Sequence, residues 1–232
     1  MKKVGFIGGY DKTDLILYIA KIMTVLKQKV LIVDTTITQK SRYIVPAMAP
    51  TLKYITTFED IDIACGFTDL EDLKHYIGIP EEQELDYDLV LVDTDNLESF
   101  ESYGLEGANN NYFVTAFDNY SLKKGLEVLS GLKRPIHLTK VLFSVDVSQE
   151  EDDYLNYLAL GYKIDWNDYK VYFPIDIEDF EAINNNQRAS KISFRNLTIP
   201  YKDSLTYIAN EILGESNDSK VRKAVKIIER GV

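Results

Sequence analysis

The stretch "VGFIGGYDKTDLILYIAK", Val4 to Lys21, reads as a buried strand, a glycine turn and the start of a helix. The apolar run "KVGFIG" (3–8) ends at Gly8-Gly9. From there Leu15, Tyr18, Ile19, Ile22, Val25 and Leu26 recur at the spacing of one helical face. A turn between strand and helix can hold an anion, because consecutive backbone N–H groups and the helix N-terminus point at it. A lysine then reaches the β- and γ-phosphates of a nucleotide, and a Ser/Thr hydroxyl holds Mg²⁺. Lys12 and Thr13 have the types and order for those tasks, with Gly8, Gly9 and Tyr10 along the turn. Asp11, however, stands where such a loop needs glycine, and Asp14 follows Thr13. The plainer reading of the same residues is a solvated lysine and a threonine that caps a helix.

Outward from this stretch, short apolar runs alternate with helical patterns, which predicts βαβ units and a mostly parallel sheet. Strands are expected at "KVLIVD" (29–34), "YDLVLVD" (87–93), "NYFVTAF" (111–117), "HLTKVLFSV" (137–145) and "YKVYFP" (169–174). Helices are expected at 68–77, with Thr68 and Glu71 as a capping box, at 121–132, and at about 150–160, 177–184, 202–213 and 219–229. Residues 36–66 are less regular, with Pro46, Pro50 and a strand-like "LKYITTF" (52–58). Asn109–Asn111 and Asn184–Asn186 read as loop or helix-end signals.

The chain has 232 residues, a length that suits one large α/β domain. A content of 45% hydrophobic and 12% aromatic residues excludes global disorder. The net charge of −11 repels phosphate backbones, which argues against broad nucleic-acid binding. One cysteine, Cys65, excludes an intramolecular disulfide framework and fits a reducing compartment. The N-terminal apolar run is too short and glycine-broken for a signal peptide, and no stretch approaches a spanning helix. The expectation is a cytoplasmic protein.

Four segments in order resemble the MinD/ParA family of deviant-Walker ATPases, which includes the pilus-positioning TadZ/CpaE proteins. They are "FIGGYDKTD" (6–14), "KVLIVDTT" (29–36), "DYDLVLVDTD" (86–95) and "FPIDIEDFEAINNNQ" (173–187). The resemblance covers nearly the whole chain. It implies a doubly wound, mostly parallel P-loop sheet of seven or eight strands, and a nucleotide site at Gly8, Gly9, Tyr10, Asp11, Lys12, Thr13, Asp14, Asp34 and Asp93. Thr13 and Asp93 would be the Mg²⁺ ligands, and the base would pack near Pro174.

Against the family pattern the chain shows losses. The family loop reads roughly K-G-G-x-G-K-[ST]-[ST]. Ile7 stands at the lysine that reaches the partner's nucleotide, Asp11 at the glycine and Asp14 at the last Ser/Thr. Thr36 replaces the carboxylate that orients water, and Asp95 replaces the proline after the third strand. Asp11 and Asp14 put up to two negative charges beside a polyanion, each costing roughly 1–3 kcal/mol at about 5 Å. Without the trans-acting lysine and the water-orienting carboxylate, phosphoryl transfer lacks its main stabilisers.

The other polar residues have plain alternatives. Asp93 is either a vestigial Mg²⁺ carboxylate or a cap at a strand end, and Asp34 leans structural. His75 and His137 form no metal pattern, Cys65 reads as a buried small hydrophobe, and Trp166 as a hairpin or turn aromatic. Tyrosine kinases of this fold bunch tyrosines at the C-terminus, but no tyrosine follows Tyr207. The tail "SKVRKAVKIIERGV" (219–232) is basic, with Val221, Ala224, Val225 and Ile228 on one helical face. In MinD such a helix binds membranes; this aliphatic face is thin, and docking on the chain's own domain or on a partner is the better expectation.

The organisation expected is therefore a MinD/ParA-like domain over 1–214 and a basic helix over 215–232. The function implied is a localisation or assembly factor for an envelope, pilus or secretion apparatus. It would bind ATP or ADP with Mg²⁺ weakly or not at all, hydrolyse inefficiently, and pair as a homodimer without nucleotide. The rival readings are a slow partitioning ATPase with ATP-dependent dimerisation, and an interaction scaffold with no nucleotide.

Overall fold

The computed structural model describes residues 1–47, 51–146, 149–214 and 217–231. Pro50 and the expected start of a separate tail at 215 lie outside the described residues. Eight strands make one sheet: β1 (Lys2–Ile7), β2 (Val30–Asp34), β3 (Tyr54–Phe58), β4 (Ile61–Cys65), β5 (Leu89–Thr94), β6 (Asn110–Ala116), β7 (Ile136–Ser144) and β8 (Ile164–Pro174). Their order is β3-β4-β2-β5-β1-β6-β7-β8. Only β3 runs antiparallel to its neighbour, β4.

The helices are α1 (Thr13–Val25), α2 (Ser41–Ile44), α3 (Leu70–Ile77), α4 (Leu97–Ser102), α5 (Asn119–Ser130), α6 (Gln149–Leu158), α7 (Ile177–Arg188), α8 (Ile199–Leu213) and α9 (Asp218–Arg230), with a 3₁₀ turn at Leu105–Gly107. Helices cover both faces of the sheet, so its inner strands are apolar on both sides; β2 and β5 are buried throughout. One face carries α1, α8 and α9, and the other α3, α4, α5 and α6. The chain is thus a single α/β domain with a doubly wound, mostly parallel sheet, the architecture that the alternating pattern predicts.

Several expectations shift. Helix α1 was expected to bury one face, but Leu15 to Ala20 are all buried, because α8 and α9 cover the side that the sheet leaves open. No strand was expected at 61–65. Glu59 and Asp60 both take positive φ (53° and 65°), closing a two-residue β3–β4 turn without the Asn-Gly signal that usually marks one. Helix α4 was also not expected. Asp69, not Thr68, caps α3, its carboxylate accepting the Asp72 N–H at 2.7 Å. The helix begins one residue later than the capping box implied. Asn110 and Asn111 open β6, and Asn184 to Asn186 lie inside α7, where the buried Asn186 amide donates to the Tyr18 hydroxyl at 3.0 Å.

Trp166 is not a turn residue. It lies in β8 and packs against Phe113, ring centroids 5.7 Å apart, with the Lys140 ammonium 5.0 Å over its ring. Cys65 is buried at the end of β4, and burial pushes its thiol up to about 12, so it carries no thiolate at neutral pH. Val221, Ala224, Val225 and Ile228 of α9 are buried against α1 and α8, leaving Arg222, Lys223, Lys226 and Arg230 outside. Among the described residues no helix is long and apolar enough to cross a membrane.

The turn after β1 is held by close packing. Gly8 has a φ of 147°, and a Cβ there would stand 2.0 Å from the Val114 carbonyl oxygen of β6; one on Gly9 would stand 2.6 Å from the Lys124 Cβ of α5. Both glycines are therefore demanded by the fold alone. Gly8→Ala should cost at least about 1–3 kcal/mol of stability in nucleotide-free protein, whereas Gly107→Ala, with nothing within 4 Å of its Cβ, should stay within about 0.5 kcal/mol. Urea denaturation of the two variants measures this. On α9, Ile228→Ala should cost about 2–5 kcal/mol and Lys226→Ala nearly nothing by the same assay.

Candidate functional site

Strand β1 lies between β5 and β6, and the chain leaves its C-terminal end where helices depart to opposite faces of the sheet. In open α/β sheets that crevice is where ligands bind. The turn 8–12 crosses it. The Gly8 N–H donates to the Thr94 carbonyl at 3.1 Å, and the Tyr10 ring packs on Phe143 at the end of β7, centroids 4.6 Å apart. Above the turn is a cavity of about 330 Å³.

Lys12 does not point freely into that cavity. Only 2% exposed, its ammonium lies 2.8 Å from the Asp93 carboxylate and donates to the Gly8 carbonyl at 2.8 Å. Asp93 is equally buried, and burial pushes its carboxyl up to about 7, against the opposing pull of Lys12 and with Asp34 adding to the rise. Asp11 serves α1 directly. One carboxylate oxygen accepts the Thr13 N–H at 3.2 Å and the Thr13 hydroxyl at 3.1 Å, and the other pairs with Lys40. A carboxylate thus sits on the N-terminal N–H of α1, a position where an anion is favoured by the helix dipole.

Lys40 also reaches Asp14 at 3.4 Å, and Asp14 accepts from the Gln187 amide of α7 at 2.8 Å. Burial raises the Asp14 carboxyl above its ordinary value, opposed by Lys40 and Gln187. Burial works against the Lys40 ammonium, but Asp14 and Asp11 outweigh it and raise its pKa. Asp34, fully buried, holds the segment that carries Lys40: its oxygens accept the Thr36 hydroxyl at 2.7 Å and the Ser41 N–H at 3.0 Å.

Of the residues expected at the site, Gly8, Gly9, Tyr10, Asp11, Lys12, Thr13 and Asp93 do line one cavity. Asp14 and Asp34 stand behind it as supports. Pro174 ends β8, paired in register with Ser144 of β7, and is not part of the lining. Thr13 and Asp93, expected to share a metal, are engaged separately by Asp11 and Lys12. Among the described residues no group of three or more His, Cys, Asp or Glu could hold a metal ion, and His137 pairs instead with Asp165 at 2.8 Å. Sequence reasoning missed Lys40, Thr38 and Tyr120, which also line the cavity. Lys40 carried one signal: it is the sole cation between Lys29 and Arg42 in an irregular segment.

No protein-family model and no curated protein matches the chain. Solved structures do. A chain of the MinC:MinD cell division protein complex of Aquifex aeolicus matches with a TM-score of 0.60 at 14% identity, over 92% of this chain and 96% of that one. A ParA family ATPase from Chlorobium tepidum TLS matches at 0.57 and 14%, over 92% and 98%. An ATP complex of a variant of Cyanothece McdA matches at 0.57 and 12%, over 92% and 96%. Likeness at such identities speaks for architecture, and the chain has the MinD/ParA fold.

Proposed function

We propose that this chain is a degenerate member of the MinD/ParA group that works by contact rather than by turnover. It would act as a localisation or assembly factor for an envelope-associated, pilus or secretion apparatus. The observation that carries this reading is the closed pair Lys12–Asp93 at 2.8 Å. The lysine that would meet a phosphate is spent inside the protein, and removing one partner of such a buried pair costs about 3–5 kcal/mol.

A magnesium triphosphate is ill-suited to the rest of the donor set. Asp11 already fills the anion position at the start of α1, and it holds the Thr13 hydroxyl that a metal would need. Asp93, the other expected metal ligand, faces an ammonium. Asp11, Asp93 and Asp95 line the cavity with Asp14 behind them, and the cations of its lining are Lys12 and Lys40, both paired with carboxylates. Where the family has a water-orienting carboxylate and a trans-acting lysine stand Thr36, whose hydroxyl donates to Asp34, and Ile7, which carries no charge across an interface. A protein partner is supported by the company of the fold, since one similar structure is a complex with MinC.

The rival reading, a slow partitioning ATPase, draws support from the position of Lys12 and Thr13 at the switch point of the sheet. Two measurements choose. Purified protein should show no Mg²⁺-dependent ATP turnover above background and the same sedimentation coefficient with and without Mg-ATP. Turnover abolished by Lys12→Ala, or a monomer that dimerises only with ATP, would overturn the proposal. Asp11→Gly removes the built-in anion, leaves Lys40 with Asp14 as its remaining carboxylate and restores a permissive backbone. It should raise Mg-ATP affinity about ten- to a hundredfold in isothermal titration, at a stability cost of about 1 kcal/mol for the lost hydrogen bonds to Thr13. Equal affinities would show that position 11 does not face the phosphate path.

A further inference from the structure

The cavity above the turn has the wrong polarity for a phosphate and the right one for a cation. Its two ammoniums are already engaged, Lys12 by Asp93 and Lys40 by Asp11 and Asp14. Asp95 also lines it and is only 8% exposed. No basic group lies within 4 Å of Asp95 among the described residues; its oxygens accept only the neutral Ile37 N–H, at 3.1 and 3.3 Å, and the Asn96 amide at 3.2 Å. A buried carboxylate with neutral donors alone gains from a cation placed against its remaining lone pairs.

The aromatic residues complete the argument. Tyr43 of α2 and Tyr120 in the first turn of α5 line the same cavity while remaining 83% and 68% exposed. Tyr10 lines it from the turn, its ring backed by Phe143. Exposed tyrosine rings beside surplus negative charge suit cation–π contact. A planar guanidinium suits the place better than an ammonium, because it stacks on a ring and bonds a carboxylate in two places at once. At about 330 Å³ the cavity is at the small end of ligand pockets.

We propose that this cavity receives an arginine side chain of a partner protein, with Asp95 as its carboxylate and Tyr43 and Tyr120 as the rings that flank it. This rests on the reading above that the turn is not a phosphate site, and it names the chemistry by which that reading's partner would be recognised.

The test uses the full chain and Nα-acetyl-arginine methylamide as probe, followed by NMR of the tyrosine rings. Saturable shifts at Tyr43 and Tyr120 are expected, weakening as salt rises. The uncharged citrulline analogue should bind at least about tenfold more weakly. Asp95→Asn, which keeps an oxygen for the Ile37 N–H, should lose about tenfold in affinity with its circular dichroism and melting curve retained. Tyr120→Leu should weaken binding in the same way, so the proposal does not rest on one variant. If arginine and citrulline probes bind alike, or neither moves the tyrosine signals, the proposal is wrong while the contact-based function stands. If Mg-ATP moves those signals and the arginine probe does not, the proposal is wrong and so is its premise that the turn is not a phosphate site.

Discussion

The ion pair between Lys12 and Asp93 ties the turn after β1 to the end of β5, at the place in the sheet where neighbouring strands send their helices to opposite faces. Both groups are almost fully buried, so neither can be left alone without a large penalty. Gly8 must approach the Val114 carbonyl of β6, the Lys12 ammonium must reach back to the Gly8 carbonyl, and α1 must start at Thr13. On the proposed reading, the place of a ligand in the charge balance is taken by the protein itself.

That substitution is carried by carboxylates, and it spreads. Asp11 accepts the Thr13 N–H at the start of α1, Lys40 neutralises Asp11 and reaches Asp14, and Gln187 brings α7 onto Asp14. Asp34 fixes the 36–41 segment that delivers Lys40. Separate parts of the chain meet there through polar contacts that need no bound ligand. On the proposed reading this is why the fold can persist without the nucleotide, and why its crevice is open to a partner of opposite charge.

An aromatic path runs from the same turn into the domain. Tyr10 packs on Phe143, Phe143 on Phe173, Phe173 on Tyr201, and Tyr201 on Tyr18, with no pair of centroids more than 6.4 Å apart. The turn is thereby seated on β7, β8, α8 and α1 at once. Such aromatic contacts each add about 0.5–1.5 kcal/mol beyond area burial, and here they join the site to the helical layer that α9 completes.

The sequence by itself determined the architecture. The β-branched and leucine-rich runs at 29–34 and 87–93 read as buried strands, and their alternation with helical periodicity predicted βαβ units and a mostly parallel sheet, to which the family resemblance added the doubly wound topology. The resemblance of four segments to the MinD/ParA family, not the pattern itself, implied that Gly8, Gly9, Lys12, Thr13 and Asp93 meet at one site. It did not give the partners. A carboxylate looks the same in a sequence whether it repels a ligand, caps a helix or binds a lysine, and only the folded chain brings Asp11 to the N–H of Thr13 and Lys40 to Asp11. The β3–β4 turn escaped because Glu59 and Asp60 adopt left-handed backbone that their side chains do not advertise. Trp166 was misplaced because local polarity signalled a turn, and the Asn184–Asn186 run, which lies near the end of α7, gave no sign of its buried bond, whereas the packing on Phe113 and the bond from Asn186 to Tyr18 join residues far apart in the chain. Local pattern is set by neighbours in sequence; the charge of the crevice is set by neighbours in space, and those only tertiary structure decides.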